Sequence, residues 1–501
     1  MASGVTSHAR QKNGPPEGGP YEDSPAAGVD APVAVNRWTW LSYGYAALVV
    51  IGLSYFLVDL PVQVTDSYGN IVKASRGTFT ELVYGEFHQQ AYLRPLGWAQ
   101  LRVVSDLSGG RLFEWFRGYH VVQIILLAVV FVRLIQPRSL SGAAAVALGL
   151  AALIGMHTFA GTIREAFPLN MFLTVLICAF VAADLALGVH RWWRDVAAAL
   201  LLVFAALSVE SGLLVAVVFV AAYLVGARGV SRVGVALQFL LVGGYLLLRF
   251  VVLDVGSPGL EERRSGYGFS GLEPDELIEK FGDNPLPFYA YNVTSSVLSI
   301  LFSEPRGGTW GLTRDVLQGE PPIGGLVNVA ASALSTLLIG MYAWRRRHEW
   351  WAMRFDRSDQ LVVIFVLVAG ANAVLSYAYT KDVILSLAGA FYALALAVAV
   401  RHFIDAMQAA TMTRALAASL VLLTLSGAWA FRTINAHLGL RAAAATMHSE
   451  WAYVDLWLER EGQGTLEADA AALKRQLQDE AVSRHPQRPA LSGDWLEWFR
   501  E

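Results

Sequence analysis

An acid and an arginine lie in one polar segment near the beginning of a mostly apolar chain. The segment spans residues 60–113 and contains Asp66 and Arg94. A carboxylate that is partly removed from water at the mouth of a helix bundle can serve as a general base. Because Pro95 favours the first turn of a helix, Arg94 would lie at a helix N-terminus, where guanidinium and backbone N–H groups can bind an anion. The alternatives are a turn residue for Asp66 and an interfacial arginine for Arg94.

Several other polar residues are candidates for substrate binding. Glu210 interrupts a long apolar run, where a carboxylate is costly unless it is functional or paired with a cation such as Arg164 or Arg249. Both explanations of Glu210 remain open at this stage. The candidate substrate-binding residues are Arg94, Glu210, His157, Tyr92, Arg249, Arg264, Glu86 and His88.

The composition indicates an all-α polytopic membrane protein. The 501 residues are 55% hydrophobic and 16% charged, whereas soluble domains carry about a quarter charged residues. The apolar residues occur in runs of about 20, the length of a bilayer-spanning helix. The net charge of −3 comes with no basic patch, so nucleic acid is not an expected partner. Cys178 is the only cysteine, and no P-loop, H-E-x-x-H or paired D-x-D motif occurs, so neither a nucleotide nor a metal cofactor is expected.

The apolar runs predict about eleven membrane-spanning helices, with the N-terminus cytoplasmic and the C-terminus extracytoplasmic. The run at 195–227 is divided at Glu210, because a single helix of that length would exceed the bilayer thickness. Basic clusters then follow every even-numbered span, as the positive-inside rule requires. The predicted spans are 38–59, 114–135, 141–157, 168–188, 195–209, 211–227, 232–253, 325–343, 359–379, 382–400 and 412–431.

This topology divides the chain into a tail, a membrane domain and a second tail. Residues 1–37 are predicted to be a disordered cytoplasmic tail, because they are rich in Gly, Pro, Ala and Ser. Residues 38–431 form the membrane domain, with helical outer loops at 60–113 and 254–324. Residues 432–501 are predicted to be a helical extracytoplasmic tail. The expected location is a bacterial inner membrane.

Four short stretches, in this order, resemble motifs of the GT-C glycosyltransferases. These stretches come after an acid that follows the first span. The likeness is strongest to the tetratricopeptide-containing transmembrane O-mannosyltransferases and their bacterial relatives. It covers about the first 230 residues, and the tetratricopeptide repeats of that group do not follow. This chain also has a single acid at Asp66, where the family often has two adjacent acids. The stretches are Tyr92-Leu93-Arg94-Pro95-Leu96, Phe116-Arg117-Gly118-Tyr119-His120, Met156-His157-Thr158 and Ser208-Val209-Glu210-Ser211-Gly212.

The resemblance implies a GT-C-like helix bundle that uses a polyprenyl-phosphate monosaccharide as its sugar donor. Asp66 would deprotonate the hydroxyl of a glycan or protein acceptor, and the sugar would be transferred with inversion. Arg94, Arg249 and Arg264 would stabilise the departing polyprenyl phosphate. Glu210 and His157 would support the base or bind sugar hydroxyls.

Three other functions are compatible with the same pattern. A transporter or flippase of lipid-linked intermediates would also need many spans and intramembrane charges, although the inverted repeats typical of transporters are not visible in the sequence. A polysaccharide ligase or polymerase also uses outer-loop arginines and lipid-linked sugars. The third possibility is a GT-C-shaped scaffold without activity.

Overall fold

The computed structural model describes most of the predicted membrane domain. Of the sequence-predicted site residues, Asp66, Glu86 and His88 lie outside the described residues, as do residues 1–35. The described residues are 36–59, 70, 74, 78–85, 87, 92–164, 171–254, 259–267, 269–302, 308–319, 323–408, 411–445 and nine residues between 459 and 479.

Helices make up nearly all of the regular structure in this part of the chain. They are α1 (Arg37–Asp59), α2 (Phe79–Gly85), α3 (Pro95–Ser108), α4 (Leu112–Ile135), α5 (Leu140–Gly155), α6 (His157–Arg164), α7 (Met171–Ala186), α8 (Trp192–Ala206), α9 (Leu214–Leu224), α10 (Arg232–Leu247), α11 (Pro274–Phe281), α12 (Leu286–Phe302), α13 (Gly308–Leu317), α14 (Ile323–Trp351), α15 (Arg357–Leu375), α16 (Ser386–Gln408) and α17 (Met412–Ala445). Short 3-10 turns at Glu210–Leu213 and Asp382–Leu385 precede α9 and α16, and a π-helical turn at Leu248–Val252 continues α10.

One small sheet departs from the expectation that the segment 254–324 is purely helical. Strands β1 (Arg264–Gly266) and β2 (Phe269–Leu272) pair in antiparallel orientation. Glycines at positions 266, 268 and 271 disfavour a helix here, and Gly271 has a positive φ of 65°. The described residues of the segment also include α11, α12 and α13, so the prediction of helices here is correct in part.

Seven helices among the described residues are long and apolar enough to cross a membrane, which identifies a polytopic α-helical membrane protein. A helix lies at each of the eleven predicted spans, but four of these helices are too short to qualify alone. One of the four, α5, is followed by α6 after a bend of 67° at Met156, and α5 and α6 would count as an eighth span if taken together. The number eleven therefore stays a prediction. The seven qualifying helices are Arg37–Val58, Glu114–Ile135, Arg232–Val252, Ile323–Trp351, Arg357–Leu375, Asp382–Gln408 and Met412–Leu438.

The centre of the bundle is α16. Over the most apolar stretch of 18 residues in each helix, 94% of the residues are buried in the segment that contains α16. The corresponding fractions are 11% for α10 and 17% for α17. Small residues allow other helices to approach α16 closely, since a Cβ atom at Gly149 of α5 would lie 2.9 Å from the Cβ of Ala397. The apolar faces that α10 and α17 leave exposed are therefore available to lipid. Helix α17 also continues past the predicted end at residue 431, because its last residues are alanines, which favour helix.

The break between α8 and α9 is where sequence analysis predicted it. Val209 is extended, with φ −160° and ψ 151°, and the 3-10 turn at Glu210–Leu213 follows it. Gly212 allows this turn to fold back on α8, because a Cβ atom there would overlap the Ala205 carbonyl group. The turn thus brings the backbone around Glu210 against the end of α8.

Helix α3 packs against the residues that join α8 to this turn. Pro95 occupies its first turn. The start of a helix leaves its first N–H groups without an intrahelical partner. Here the Leu96 N–H donates to the Leu207 carbonyl at 3.0 Å. The Gln100 side chain donates to the Ser208 hydroxyl at 2.8 Å. The N-terminus of α3, with Arg94 just before it, is thereby fixed next to Glu210.

We predict that Gly212→Ala destabilises the folded protein. The added methyl group must displace backbone atoms of α8, and such overpacking typically costs about 1–3 kcal/mol. Thermal unfolding of the detergent-purified chain measures the effect. The matched control is Gly243→Ala, because a Cβ atom at Gly243 meets nothing within 4 Å. Equal unfolding temperatures for the two variants would contradict the close packing of the turn.

Candidate functional site

The structure describes six of the nine predicted site residues and brings three of them into one cluster. Arg94 precedes α3, Glu210 lies in the turn between α8 and α9, and Arg249 lies in the π-helical turn that ends α10. We call these three residues the Glu210 cluster.

Arg94 and Glu210 form a close ion pair. Nη2 of Arg94 donates to Oε2 of Glu210 at 2.8 Å, and Nε lies 3.3 and 3.4 Å from the two carboxylate oxygens. The side chains are 30% and 24% exposed, respectively. Charge-assisted, bidentate hydrogen bonds of this kind fix the orientation of the guanidinium group. The pair therefore holds Arg94 in one direction while leaving part of it accessible.

Arg249 approaches the same carboxylate from the other side. Its Nη1 lies 3.6 Å from Oε1 of Glu210 and donates to the Tyr245 hydroxyl at 3.2 Å. Its side chain is 15% exposed, and its Nε is buried without a hydrogen-bond partner among the described residues. The π-helical turn that carries Arg249 is a local distortion of the type often found at functional sites. Two guanidinium groups thus share one carboxylate, which leaves the Glu210 cluster with a net positive charge.

Tyr92 adds an aromatic face to the Glu210 cluster. The guanidinium carbon of Arg94 lies 4.3 Å from the centroid of the Tyr92 ring, within the range of a cation–π contact. The Tyr92 side chain is itself exposed. Arg94 is therefore positioned by the Glu210 carboxylate and by the Tyr92 ring.

Glu210 is ionised at neutral pH. Burial alone would raise the pKa of its carboxyl group. The charge and hydrogen bonds of Arg94, together with the charge of Arg249, outweigh burial and lower that pKa below its ordinary value. A carboxylate with a lowered pKa is a weak proton acceptor. Glu210 is thus suited to orienting the two arginines rather than to general base catalysis.

His157 belongs to a second polar group. Its Nε2 lies 2.9 Å from the Ser299 hydroxyl and 3.7 Å from Oδ1 of Asp382. Ser299 and Asp382 were not among the site residues predicted from the sequence. The available signal was an acid at the start of the apolar run that becomes α16, but interfacial acids are common at such positions.

Arg264 lies in β1 and forms hydrogen bonds with residues of the preceding loop. Its guanidinium donates to the Gly259 carbonyl at 3.0 and 3.3 Å and to Glu262 at 3.2 Å. These contacts stabilise the loop that precedes the β1–β2 hairpin. A role of Arg264 toward a phosphate group stays a prediction.

No family model, curated protein or solved structure matches the chain. The relation to the GT-C glycosyltransferases therefore stays a prediction from the sequence motifs. Among the residues that the structure describes, no group of three or more His, Cys, Asp and Glu side chains is arranged to hold a metal ion.

We predict that Glu210→Gln lowers the stability of the protein at neutral pH. The change leaves two guanidinium groups facing each other, and the expected loss is about 2 kcal/mol, between the values for exposed and fully buried pairs. Because the pKa of Glu210 is lower in the folded than in the unfolded state, its contribution is present above the unfolded value of about 4.3 and is lost as the pH falls through the folded value.

Thermal unfolding from neutral to acidic pH, with wild type and Glu210→Gln side by side, measures this contribution. The gap between the two unfolding temperatures is expected to narrow toward low pH. The matched control is Asp184→Asn, which removes the acid of the Arg133–Asp184 pair at 2.8 Å. If the unfolding temperatures of wild type and Glu210→Gln differ by the same amount at every pH, the assigned ion pairs are contradicted.

Proposed function

We propose that the protein is an integral membrane glycosyltransferase. It transfers a sugar from a polyprenyl-phosphate monosaccharide to an acceptor on the extracytoplasmic side of a bacterial inner membrane. The observation that supports this function best is the convergence of Arg94 and Arg249 on Glu210, since two cations around one carboxylate form a site with a surplus positive charge.

The surplus charge suits the phosphate group of such a donor. A polyprenyl-phosphate sugar is a phosphodiester with one negative charge, and its phosphate gains a second charge as the bond to the sugar breaks. Preorganised cations stabilise charge that develops in a transition state. Arg94 and Arg249 would therefore bind the donor and favour departure of polyprenyl phosphate.

The exposed face of α10 suits the lipid part of the donor. Large apolar side chains are exposed along this helix, and the helix ends in the turn that carries Arg249. A polyprenyl chain lying on this face would deliver its phosphate to Arg249. The exposed apolar side chains of α10 and its π-helical turn are Val233, Phe239, Leu240, Leu246, Leu247, Phe250, Val251 and Val252.

In the proposed reaction Asp66 accepts the proton of the acceptor hydroxyl. The acceptor oxygen attacks the anomeric carbon while the bond from that carbon to the phosphate oxygen breaks. Polyprenyl phosphate leaves with the bonding electron pair, and the configuration at the anomeric carbon is inverted. Asp66 then loses its proton to water. Because its contacts with two arginines lower the pKa of Glu210, this carboxylate is a weak proton acceptor and positions Arg94 instead.

We expect Asp66→Asn to reduce sugar transfer at least 100-fold, because general base catalysis contributes about 10²–10⁴-fold. We expect Arg94→Gln to reduce it by a similar factor through loss of charge stabilisation. Cells that lack the protein are complemented with each variant at matched expression, and their envelope glycans are analysed by mass spectrometry. Both variants are expected to lose the sugar that the wild type adds.

The matched control is Arg133→Gln, which removes an arginine from an ion pair outside the Glu210 cluster. It is expected to retain transfer. Unchanged glycans with Asp66→Asn would remove Asp66 from the mechanism. Movement of the lipid-linked sugar across the membrane by the wild type, with no transfer of the sugar, would favour the transporter alternative instead.

A further inference from the structure

Arg432 of α17 is a buried cation. The residue is 2% exposed, and its Nη1 donates to the Asn328 carbonyl at 2.9 Å and to the Ser332 hydroxyl at 2.6 Å. Its guanidinium carbon lies 4.0 Å from the centroid of the Trp429 ring. Its Nε is buried and has no hydrogen-bond partner among the described residues.

Among the residues that the structure describes, no acid forms an ion pair with Arg432, whereas buried Asp359 pairs with Arg346 at 2.7 Å. An uncompensated buried charge is strongly destabilising. Charged residues within membrane-spanning helices are therefore generally functional. Arg432 falls in the candidate span Met412–Leu438, so a negatively charged ligand would remove the imbalance.

The surroundings of Arg432 are polar but mostly uncharged. The Tyr392 hydroxyl donates to the Ser332 carbonyl at 2.9 Å and lies 3.0 Å from the Thr336 hydroxyl. His157 is close enough to interact electrostatically with Arg432, and its Nδ1 is also buried without a partner in the described part of the chain. Hydroxyl and imidazole groups can orient a ligand without changing the charge balance.

We infer that Arg432 binds an oxyanion that carries one negative charge over two oxygen atoms. One guanidinium group balances one charge, whereas a phosphomonoester carries about −1.5 to −2 at neutral pH. The Nε edge of a guanidinium group is part of the fork that binds such oxyanions with two parallel hydrogen bonds. Phosphodiesters and carboxylates both fit, and the source is either a membrane lipid or a soluble molecule. The inference does not rest on the proposed glycosyl transfer.

Anion binding is tested on the full chain, purified in an uncharged detergent, by thermal unfolding. The probes are dioctanoyl phosphatidylglycerol, dimethyl phosphate and acetate. At least one probe is expected to raise the unfolding temperature of the wild type, since a ligand that binds the folded state stabilises it. A rise with phosphatidylglycerol alone assigns the site to a lipid, and a rise with the small anions assigns it to a soluble ligand.

The key variant is Arg432→Gln, and the matched control is Arg414→Gln, an exposed arginine on the same helix. Arg432→Gln is expected to weaken binding of the active probe at least 10-fold, while Arg414→Gln retains it. Without any probe, Arg432→Gln is expected to unfold at the wild-type temperature or above, because an uncompensated buried charge has been removed. A purely structural arginine would give a lower unfolding temperature.

If Arg432→Gln is not recovered folded, Arg432→Lys replaces it. Lysine keeps the charge but lacks the Nε edge, so the same weakening is expected. The inference is overturned if none of the three probes stabilises the wild type. It is also overturned if the probe stabilises the Arg432 variant as strongly as the wild type. Both readouts are independent of sugar transfer and of Arg94.

Discussion

The contact of one carboxylate with two guanidinium groups links three distant parts of the chain. Arg94 and Glu210 are 116 residues apart in sequence, and Arg249 comes from the end of a third segment. A cluster of this kind is stable only if the backbone places all three side chains within reach. The break at Glu210, the docking of α3 on the Leu207 carbonyl and the π-helical turn of α10 together supply that placement. Much of the local architecture can thus be understood as support for one charged cluster.

The Glu210 cluster and Arg432 differ in how their charge is balanced. In the Glu210 cluster a carboxylate offsets one of two arginines, so the site keeps its shape and a partial positive charge in the absence of a ligand. Among the described residues, Arg432 donates hydrogen bonds to a hydroxyl and a carbonyl group only. The first arrangement suits a reaction in which charge develops. The second suits a permanent monoanion, because binding neutralises the site without leaving a surplus.

Apolar run length was enough to locate the helices, and the acid at Glu210 was enough to locate the break in the longest run. Arg249 was among the partners considered for Glu210, because both residues interrupt apolar sequence. The Arg94–Glu210 contact could not be predicted from the residues alone, since it depends on how α3 packs against α8. Asp382 and Arg432 were also missed, because charges at the ends of apolar runs usually lie at the membrane surface. Span count was the least predictable feature, since four helices at predicted spans are short or bent.

The most direct measurement is an experimental structure of the full chain in a lipid nanodisc with polyprenyl phosphate bound. We expect the phosphate oxygens to lie within hydrogen-bond distance of Arg94 and Arg249. We also expect the Asp66 carboxylate to lie beside this phosphate group, on the extracytoplasmic face. A phosphate group bound away from both arginines, or Asp66 on the opposite face of the membrane, would contradict the account.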